Sequence, residues 1–385
     1  MAPPRAAGVL IVLPPHASDT RLGNVRILGL PLARRIALAG TSVGYACIVA
    51  VKGAAEPPVL EGAGVQPWPE SIPSGSGPHR VVLVPANVLV QRRWLREVLE
   101  MPLEPETLYV DGALAAVVET KRIETVLTAA RDAGAAETID RLRGTFTTAA
   151  LPADSESLRS LASVDDVRGA ESWLLQSLIK RNEGFMSRHV ERRVSLAVTR
   201  RLVETSVTPN AMTLISVAIG LLGALGFLSP APALQLAGAL LFLTHSILDG
   251  CDGELARLKF LESRWGAVLD FWGDNVVHVA VFAALALEWS WSAGAAWPLA
   301  LGATAIAGTL ASATLMFRHT VEDSALPEAW SGRLAGALAS RDFIYVVVLL
   351  SAFGHARWFL LVGSVGTPAF ALLALYLAMR RGRIR

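Results

Sequence analysis

Four aspartates offer the chemistry in this sequence. They stand in two blocks, Asp249-Gly250-Cys251-Asp252-Gly253-Glu254-Leu255-Ala256-Arg257 and Gly266-Ala267-Val268-Leu269-Asp270-Phe271-Trp272-Gly273-Asp274, each joined to a long apolar run. On a helix Asp249 and Asp252 share a face with Ala256, and Gly266, Asp270 and Asp274 share another, because residues three and four apart are neighbours. A carboxylate inside a bilayer costs roughly 2.5–3.5 kcal/mol on insertion scales, and four together add like-charge repulsion. One Arg257 cannot neutralise four. Hard divalent cations such as Mg²⁺ or Mn²⁺ can, since they take carboxylate oxygens. Two antiparallel helices that each present a carboxylate pair predict a site for two ions, a device that stabilises the attacking and leaving oxygens of a phosphoryl displacement. The competing readings are ion translocation by a transporter and a non-catalytic membrane scaffold. The two cysteines, Cys47 and Cys251, are too far apart in sequence for a CxxC metal site and make no disulfide framework.

The elements that must hold these carboxylates are membrane helices. The 385 residues are 52% hydrophobic and 18% charged, with mean hydropathy +0.45, which excludes a disordered chain and disfavours an ordinary soluble enzyme. Lys+Arg 35 against Asp+Glu 33 gives net charge +2 and no basic field for nucleic acid. The apolar excess is concentrated from residue 210 onward, where six spans are predicted at about 211–229, 232–250, 266–287, 293–316, 342–355 and 357–379. Lys and Arg concentrate in the 250–265 loop, at Arg318, Arg333 and Arg341, and in the tail from Arg380. The positive-inside rule therefore predicts a multi-pass protein of the cytoplasmic membrane with both termini cytoplasmic.

Residues 1–175 read differently, with 17 Lys/Arg and 19 Asp/Glu before Ser177. Strands at Val9–Leu13, Tyr45–Val51, Val81–Val84, Leu108–Val110 and Ala113–Glu119 alternate with helical stretches, predicting a soluble α/β domain with a parallel, doubly wound, Rossmann-type sheet. Residues 176–206 carry Lys180, Arg181, Arg188, Arg192, Arg193, Arg200 and Arg201 beside an apolar side of Val190, Val194, Leu196 and Leu202. That pattern predicts a basic amphipathic helix on the membrane surface, ahead of a membrane domain over 207–385. Arg188, Arg192 and Arg341 are candidates for an acceptor phosphate, against the simpler reading of positive-inside anchors.

The spacing D-x2-D-G-x2-A-R-x8-G-x3-D-x3-D is met at every fixed position from Asp249 to Asp274. It resembles the motif of the CDP-alcohol phosphotransferases over roughly residues 205–380, and six membrane helices match that family's fold. The resemblance implies transfer of a phospho-alcohol from a CDP-linked donor, CDP-diacylglycerol or CDP-inositol, to the hydroxyl of an alcohol or phospho-alcohol acceptor with release of CMP. It implies two Mg²⁺ or Mn²⁺ per active site, held by Asp249, Asp252, Asp270 and Asp274, with Asp274 also the general base. It assigns Gly253, Ala256, Arg257 and Gly266 to the nucleotide pocket. The family's Pro-Asn-x2-Thr element appears as Pro209-Asn210-Ala211-Met212-Thr213, so Asn210 and Thr213 are candidate donor contacts as well as a helix start. Membrane lipid and a second copy of the chain, as a homodimer, are the expected partners. His245 and His278 flank the aspartates as candidate supports.

An α/β domain ahead of such a membrane fold resembles the nucleotidyltransferase-like domain of inositol-1-phosphate cytidylyltransferase/di-myo-inositol-phosphate-phosphate synthase proteins. An active domain of that kind has a Gly-rich loop after its first strand, with backbone N–H groups around the triphosphate. Here the segment reads Leu13-Pro14-Pro15-His16-Ala17-Ser18-Asp19-Thr20-Arg21. The strand Val81–Val84 leads to Pro85-Ala86-Asn87 in place of a metal-binding Asp. The expectation is an inactive domain kept for stability, dimerisation or partner binding; the alternative is a bifunctional enzyme that also makes its own CDP-alcohol.

Overall fold

The computed structural model describes residues 7–16, 21–67, 77–153, 155–179, 190–317 and 343–382. Two compact units divide at Gln176 and Ser177.

The first unit runs β1 (Ala7–Leu13), β2 (Arg26–Ile27), β3 (Leu30–Pro31), α1 (Leu32–Val43), β4 (Cys47–Ala50), α2 (Pro57–Leu60), β5 (His79–Pro85), β6 (Val88–Val90), α3 (Arg92–Glu100), β7 (Thr107–Val110), β8 (Ala116–Thr120), α4 (Ile123–Ala130), α5 (Ala135–Arg143), β9 (Thr147–Ala150), β10 (Leu158–Ser160) and α6 (Val167–Gln176). The main sheet has the order β4-β1-β5-β8-β7-β9. Its β4-β1-β5 half is parallel, as continuous apolar runs such as Val9–Leu13 demand when both faces are covered. The other half departs from an all-parallel sheet, because β8 pairs antiparallel with both β5 and β7. Only five residues separate Val110 from Ala116, and the Asp111 N–H bonds the Ala115 carbonyl at 2.8 Å. So short a connection makes a hairpin, whereas a parallel crossover needs a dozen residues or more.

The second unit is helical: α7 (Arg192–Leu202), α8 (Pro209–Gly226), α9 (Pro232–Lys259), α10 (Arg264–Ala293), α11 (Trp297–Phe317), α12 (Phe343–Ala352) and α13 (Arg357–Gly382). Five of these are long and apolar enough to cross a membrane, and α12 is a sixth, shorter apolar helix. The chain is a multi-pass membrane protein. Outward residues such as Leu222, Leu225, Val362 and Val365 are 58–72% exposed, as lipid-facing side chains are. Glycines bring α8 and α9 together, since a Cβ at Gly238 would lie 2.5 Å from the Gly223 carbonyl oxygen. At the opposite end from the aspartates, the buried Glu288 accepts from Arg357 Nη2 at 2.6 Å, so α10 and α13 cancel each other's charge.

The helix α9 runs nine residues past the predicted span end at 250. The whole block from Asp249 to Arg257 is therefore helical, and the predicted 250–265 loop shrinks to the turn after Lys259. Leu255 and Leu258 are buried and hold this extension, and Lys259 Nζ closes it on the carbonyls of Thr205 and Val207 at 2.8 and 3.0 Å. Ser263 then caps α10, its Oγ accepting from the Gly266 N–H at 3.0 Å.

Candidate active site

The two helices that flank this turn carry the aspartates. One carboxylate oxygen each from Asp249, Asp270 and Asp274 lies within 4.8 Å of the other two. Asp249 comes from α9 and the other two from successive turns of α10. The donor set is three hard oxygens, which fits a divalent cation. Asp252 stands one helical turn from Asp249 and is held differently: Thr213 Oγ1 of α8 donates to its Oδ2, and its Oδ1 accepts the Gly253 N–H.

Asp252 and Asp270 face a cavity of about 210 Å³ at the α8–α9–α10 junction. Asn210, Thr213, Gly253, Ala256, Arg257 and Gly266 line it as well. Every residue that the motif assigns to the nucleotide is thus in one pocket, and Asp270 joins that pocket to the carboxylate triplet. Two glycines leave the room. A Cβ at Gly266 would meet Asn210 Oδ1 at 3.0 Å, and one at Gly253 would meet Arg257 Nη1 at 3.2 Å.

His245 backs the triplet. Its Nδ1 is 3.0 Å from the Ser216 carbonyl oxygen, which can only accept, so Nδ1 carries a proton and Nε2 faces Asp274 Oδ1 at 3.4 Å. His278 lies elsewhere: its ring packs edge-on against Phe242 at 5.6 Å and lines a second, apolar cavity.

Arg192 enters through a contact that sequence reading missed. Glu254, with no exposed surface, accepts from Arg192 Nη1 at 2.7 Å, Ser195 Oγ at 2.8 Å and Thr199 Oγ1 at 2.6 Å. The buried side of α7 is therefore its polar stripe, while Val190 and Val194 are 42% and 44% exposed. The signal was present as Arg192, Ser195 and Thr199 at i, i+3 and i+7, opposite a carboxylate inside the aspartate motif. Arg188 and Arg341 lie outside the described residues.

In the first unit, Asn87 stands at the end of the β5 segment where an Asp was expected. It is fully buried; its Nδ2 donates to the Leu161 carbonyl at 2.9 Å and its Oδ1 accepts the His16 N–H at 3.2 Å. Residues 17–20 of the loop that would wrap a triphosphate lie outside the described residues.

Residues 206–379 match the family described as CDP-alcohol phosphatidyltransferase. Over 201 residues the chain is 31% identical to the phosphatidylinositol phosphate synthase of Mycobacteroides abscessus, covering 48% of this chain and 85% of that one. The chain belongs to the CDP-alcohol phosphatidyltransferase family. It is also 39% identical over 229 residues to the bifunctional IPC transferase and DIPP synthase of Rubrobacter xylanophilus, covering 57% of this chain and 48% of that protein. The chain thus spans about half the length of this relative or less, as it does for a same-named protein of Thermococcus kodakarensis, where 27% is covered. A crystal structure of Mycobacterium tuberculosis phosphatidylinositol phosphate synthase with CDP-DAG bound aligns at TM-score 0.37 and 22% identity, over 50% of this chain and 92% of that one. The CDP-alcohol phosphatidyltransferase family uses divalent metals, and the described residues of this member include the cluster of three aspartates.

Proposed function

We propose that this protein transfers a phospho-alcohol group from a CDP-alcohol to the hydroxyl of a second alcohol and releases CMP. The observation that carries this is the carboxylate triplet opening, through Asp270, into the pocket lined by Gly253, Ala256, Arg257 and Gly266. A transporter has no need of such a pocket beside its carboxylates.

Asp249, Asp252, Asp270 and Asp274 hold two Mg²⁺ or Mn²⁺ in this reading. Bound there, the ions supply charge stabilisation to the attacking and leaving oxygens. The pocket takes the cytidine and its α-phosphate, with Arg257 facing phosphate and Asn210 and Thr213 at the wall. The acceptor hydroxyl attacks the phosphorus that bears the donor alcohol. A new P–O bond forms, the bond to the CMP phosphate breaks, and the hydroxyl proton passes to the Asp274 carboxylate. His245 orients that carboxylate from behind. CMP leaves with the electron pair of the broken bond.

The names of the relatives favour an inositol phosphate acceptor, whose phosphate Arg192, with Arg188 and Arg341, would meet at the cytoplasmic face. The basic helix α7 lies on the membrane surface, both termini are cytoplasmic, and the protein works as a homodimer. The first unit makes no CDP-alcohol, because the Asn87 amide is committed to backbone partners. The donor then arrives from elsewhere, in contrast to the bifunctional alternative.

The test is CMP release by the purified protein from a panel of CDP-alcohols and acceptors with Mg²⁺ or Mn²⁺. Release that EDTA abolishes and Mg²⁺ restores supports the transferase. Absence of CMP with every donor, alongside cation flux in vesicles, would establish the transporter instead.

A further inference from the structure

Glu254 belongs to the aspartate block by position but faces another way. Asp252, Gly253 and Ala256 line the donor pocket, whereas Gly250, Cys251 and Glu254 meet α7. A Cβ at Gly250 would lie 3.3 Å from Arg192 Nη1, and Cys251 Sγ donates to the Ser195 carbonyl at 3.5 Å. Gly250 follows Asp249 of the triplet directly, so the Arg192 guanidinium rests on α9 one residue, about 3.8 Å of chain, from a carboxylate of the site. Arg257 of the donor pocket is near enough to feel the charges of both Arg192 and Glu254.

The pair is asymmetric. The Glu254 side chain has no exposed surface, while Arg192 keeps 15% of its own. Glu254 spends Oε1 on Arg192 and Ser195 and Oε2 on Thr199, so both of its oxygens are fixed. A guanidinium is a rigid planar fork, and a carboxylate that takes one of its edges sets the direction of the rest. Such a fork matches a phosphate through paired, charge-assisted N–H···O bonds, and a neutral hydroxyl gains far less from it. A buried ion pair is by itself weak evidence for stability, since an apolar replacement of both partners is often neutral or stabilising. What this pair contributes, in a motif beside a phosphoryl-transfer site, is orientation.

We propose that Glu254 is a positioning residue: with Ser195 and Thr199 it aims Arg192 at the phosphate of the acceptor, and so sets a preference for a phosphorylated alcohol over a free one. The inference rests on the transferase reading above and deepens it, with Glu254 acting only through Arg192.

The experiment uses the full-length protein in detergent micelles with Mg²⁺ and CDP-dioleoylglycerol or CDP-inositol as donor. Two acceptor pairs are compared, inositol 1-phosphate with inositol and glycerol 3-phosphate with glycerol. CMP release and calorimetric binding of inositol 1-phosphate are both read. The wild type should prefer the phosphorylated member of at least one pair by about tenfold or more in kcat/KM. Glu254→Gln keeps the shape and removes the charge. It should raise KM for the phosphorylated acceptor by about tenfold or more and weaken its binding in parallel, with kcat, donor KM and Mn²⁺ affinity within about twofold. A merely structural role would lower the folded fraction and leave that ratio of acceptors alone. Arg192→Lys keeps the charge without the fork and should show the same selective loss. In an Arg192→Gln background, Glu254→Gln should add less than about twofold. Adding phosphatidylglycerol separates a lipid headgroup from the acceptor, and the loss should be the same with and without it.

A wild type without preference for phosphorylated acceptors would overturn the inference and leave the transferase standing. So would an unchanged acceptor ratio in folded Glu254→Gln, losses that add fully in the Arg192→Gln background, or a loss seen only as a missing response to phosphatidylglycerol. Should Glu254→Gln fail to fold, Thr199→Val removes just the hydroxyl on Oε2 and should lower the same ratio by about threefold; an unchanged ratio there overturns the inference as well. No CMP from any combination of donor and acceptor would remove the transferase reading itself.

Discussion

Arg192 Nη1 lies 2.7 Å from Glu254 Oε1, and the carboxylate it meets has no solvent exposure. This ion pair ties the amphipathic α7 to the helix that carries Asp249 and Asp252. Ser195 and Thr199 complete the cage. Removing one partner of a buried pair strands the other, at about 3–5 kcal/mol. Glu254→Ala should therefore lower the unfolding midpoint in detergent by several degrees. The double variant with Arg192→Ala should lose less than the sum of the singles, because neither charge is then left without its partner. Purely additive losses in the cycle would mean that the pair is not coupled.

The triplet should bind metal as a unit. Asp249→Asn, Asp270→Asn and Asp274→Asn each replace a charged ligand by a neutral one, and each should weaken Mn²⁺ binding measured by electron paramagnetic resonance. Turnover should fall below a tenth of wild type in every case. Retention of more than that by all three would remove the metal assignment. Cys251→Ala should leave Mn²⁺ affinity within about twofold, because hard ions do not select a thiol.

Asp274 and Asp249 should separate kinetically. Asp274→Asn keeps one ligand oxygen but loses the base, so kcat should fall by about 10²–10⁴-fold with a smaller change in donor affinity. Asp249→Asn should weaken donor binding as well. Equal losses of affinity with near-normal residual kcat in Asp274→Asn would make Asp274 a structural ligand.

His245 stands between the Ser216 carbonyl and Asp274. A histidine that orients a ligand carboxylate is typically worth about 10–100-fold in metal affinity or activity. His245→Ala should lose that much in both, while His278→Ala, whose ring packs with Phe242 and Phe343, should leave Mn²⁺ affinity unaltered. The reverse order would exchange their roles.

Asn87→Asp restores the residue type expected of an active nucleotidyltransferase-like domain. It also turns the Leu161 carbonyl from a hydrogen-bond partner of an N–H into a neighbour of a buried carboxylate oxygen. The variant should unfold several degrees earlier and still release no pyrophosphate from CTP with inositol 1-phosphate. Pyrophosphate release by the wild-type chain would make the protein bifunctional.

The sequence by itself determined the membrane helices, because a 20-residue apolar run has no other stable solution in a bilayer. It also determined which carboxylates share a helix face: a spacing of three and four already places Asp249 with Asp252 and Asp270 with Asp274. The parallel strands β1, β4 and β5 were legible as continuous apolar runs. Direction was not: β8 reads like the others, and only the short Val110–Ala116 connection reverses it. Tertiary structure alone decided that Asp252 is held by Thr213 while Asp249 joins Asp270 and Asp274, since this depends on how α8 and α10 close against α9. It decided that α7 turns its polar stripe inward, because the buried Glu254 needs hydrogen-bond donors more than the valines need burial when lipid can cover them. The apolar cavity was invisible for the same reason. Its phenylalanines come from four helices, and nothing along the chain marks which of them will leave a space between them.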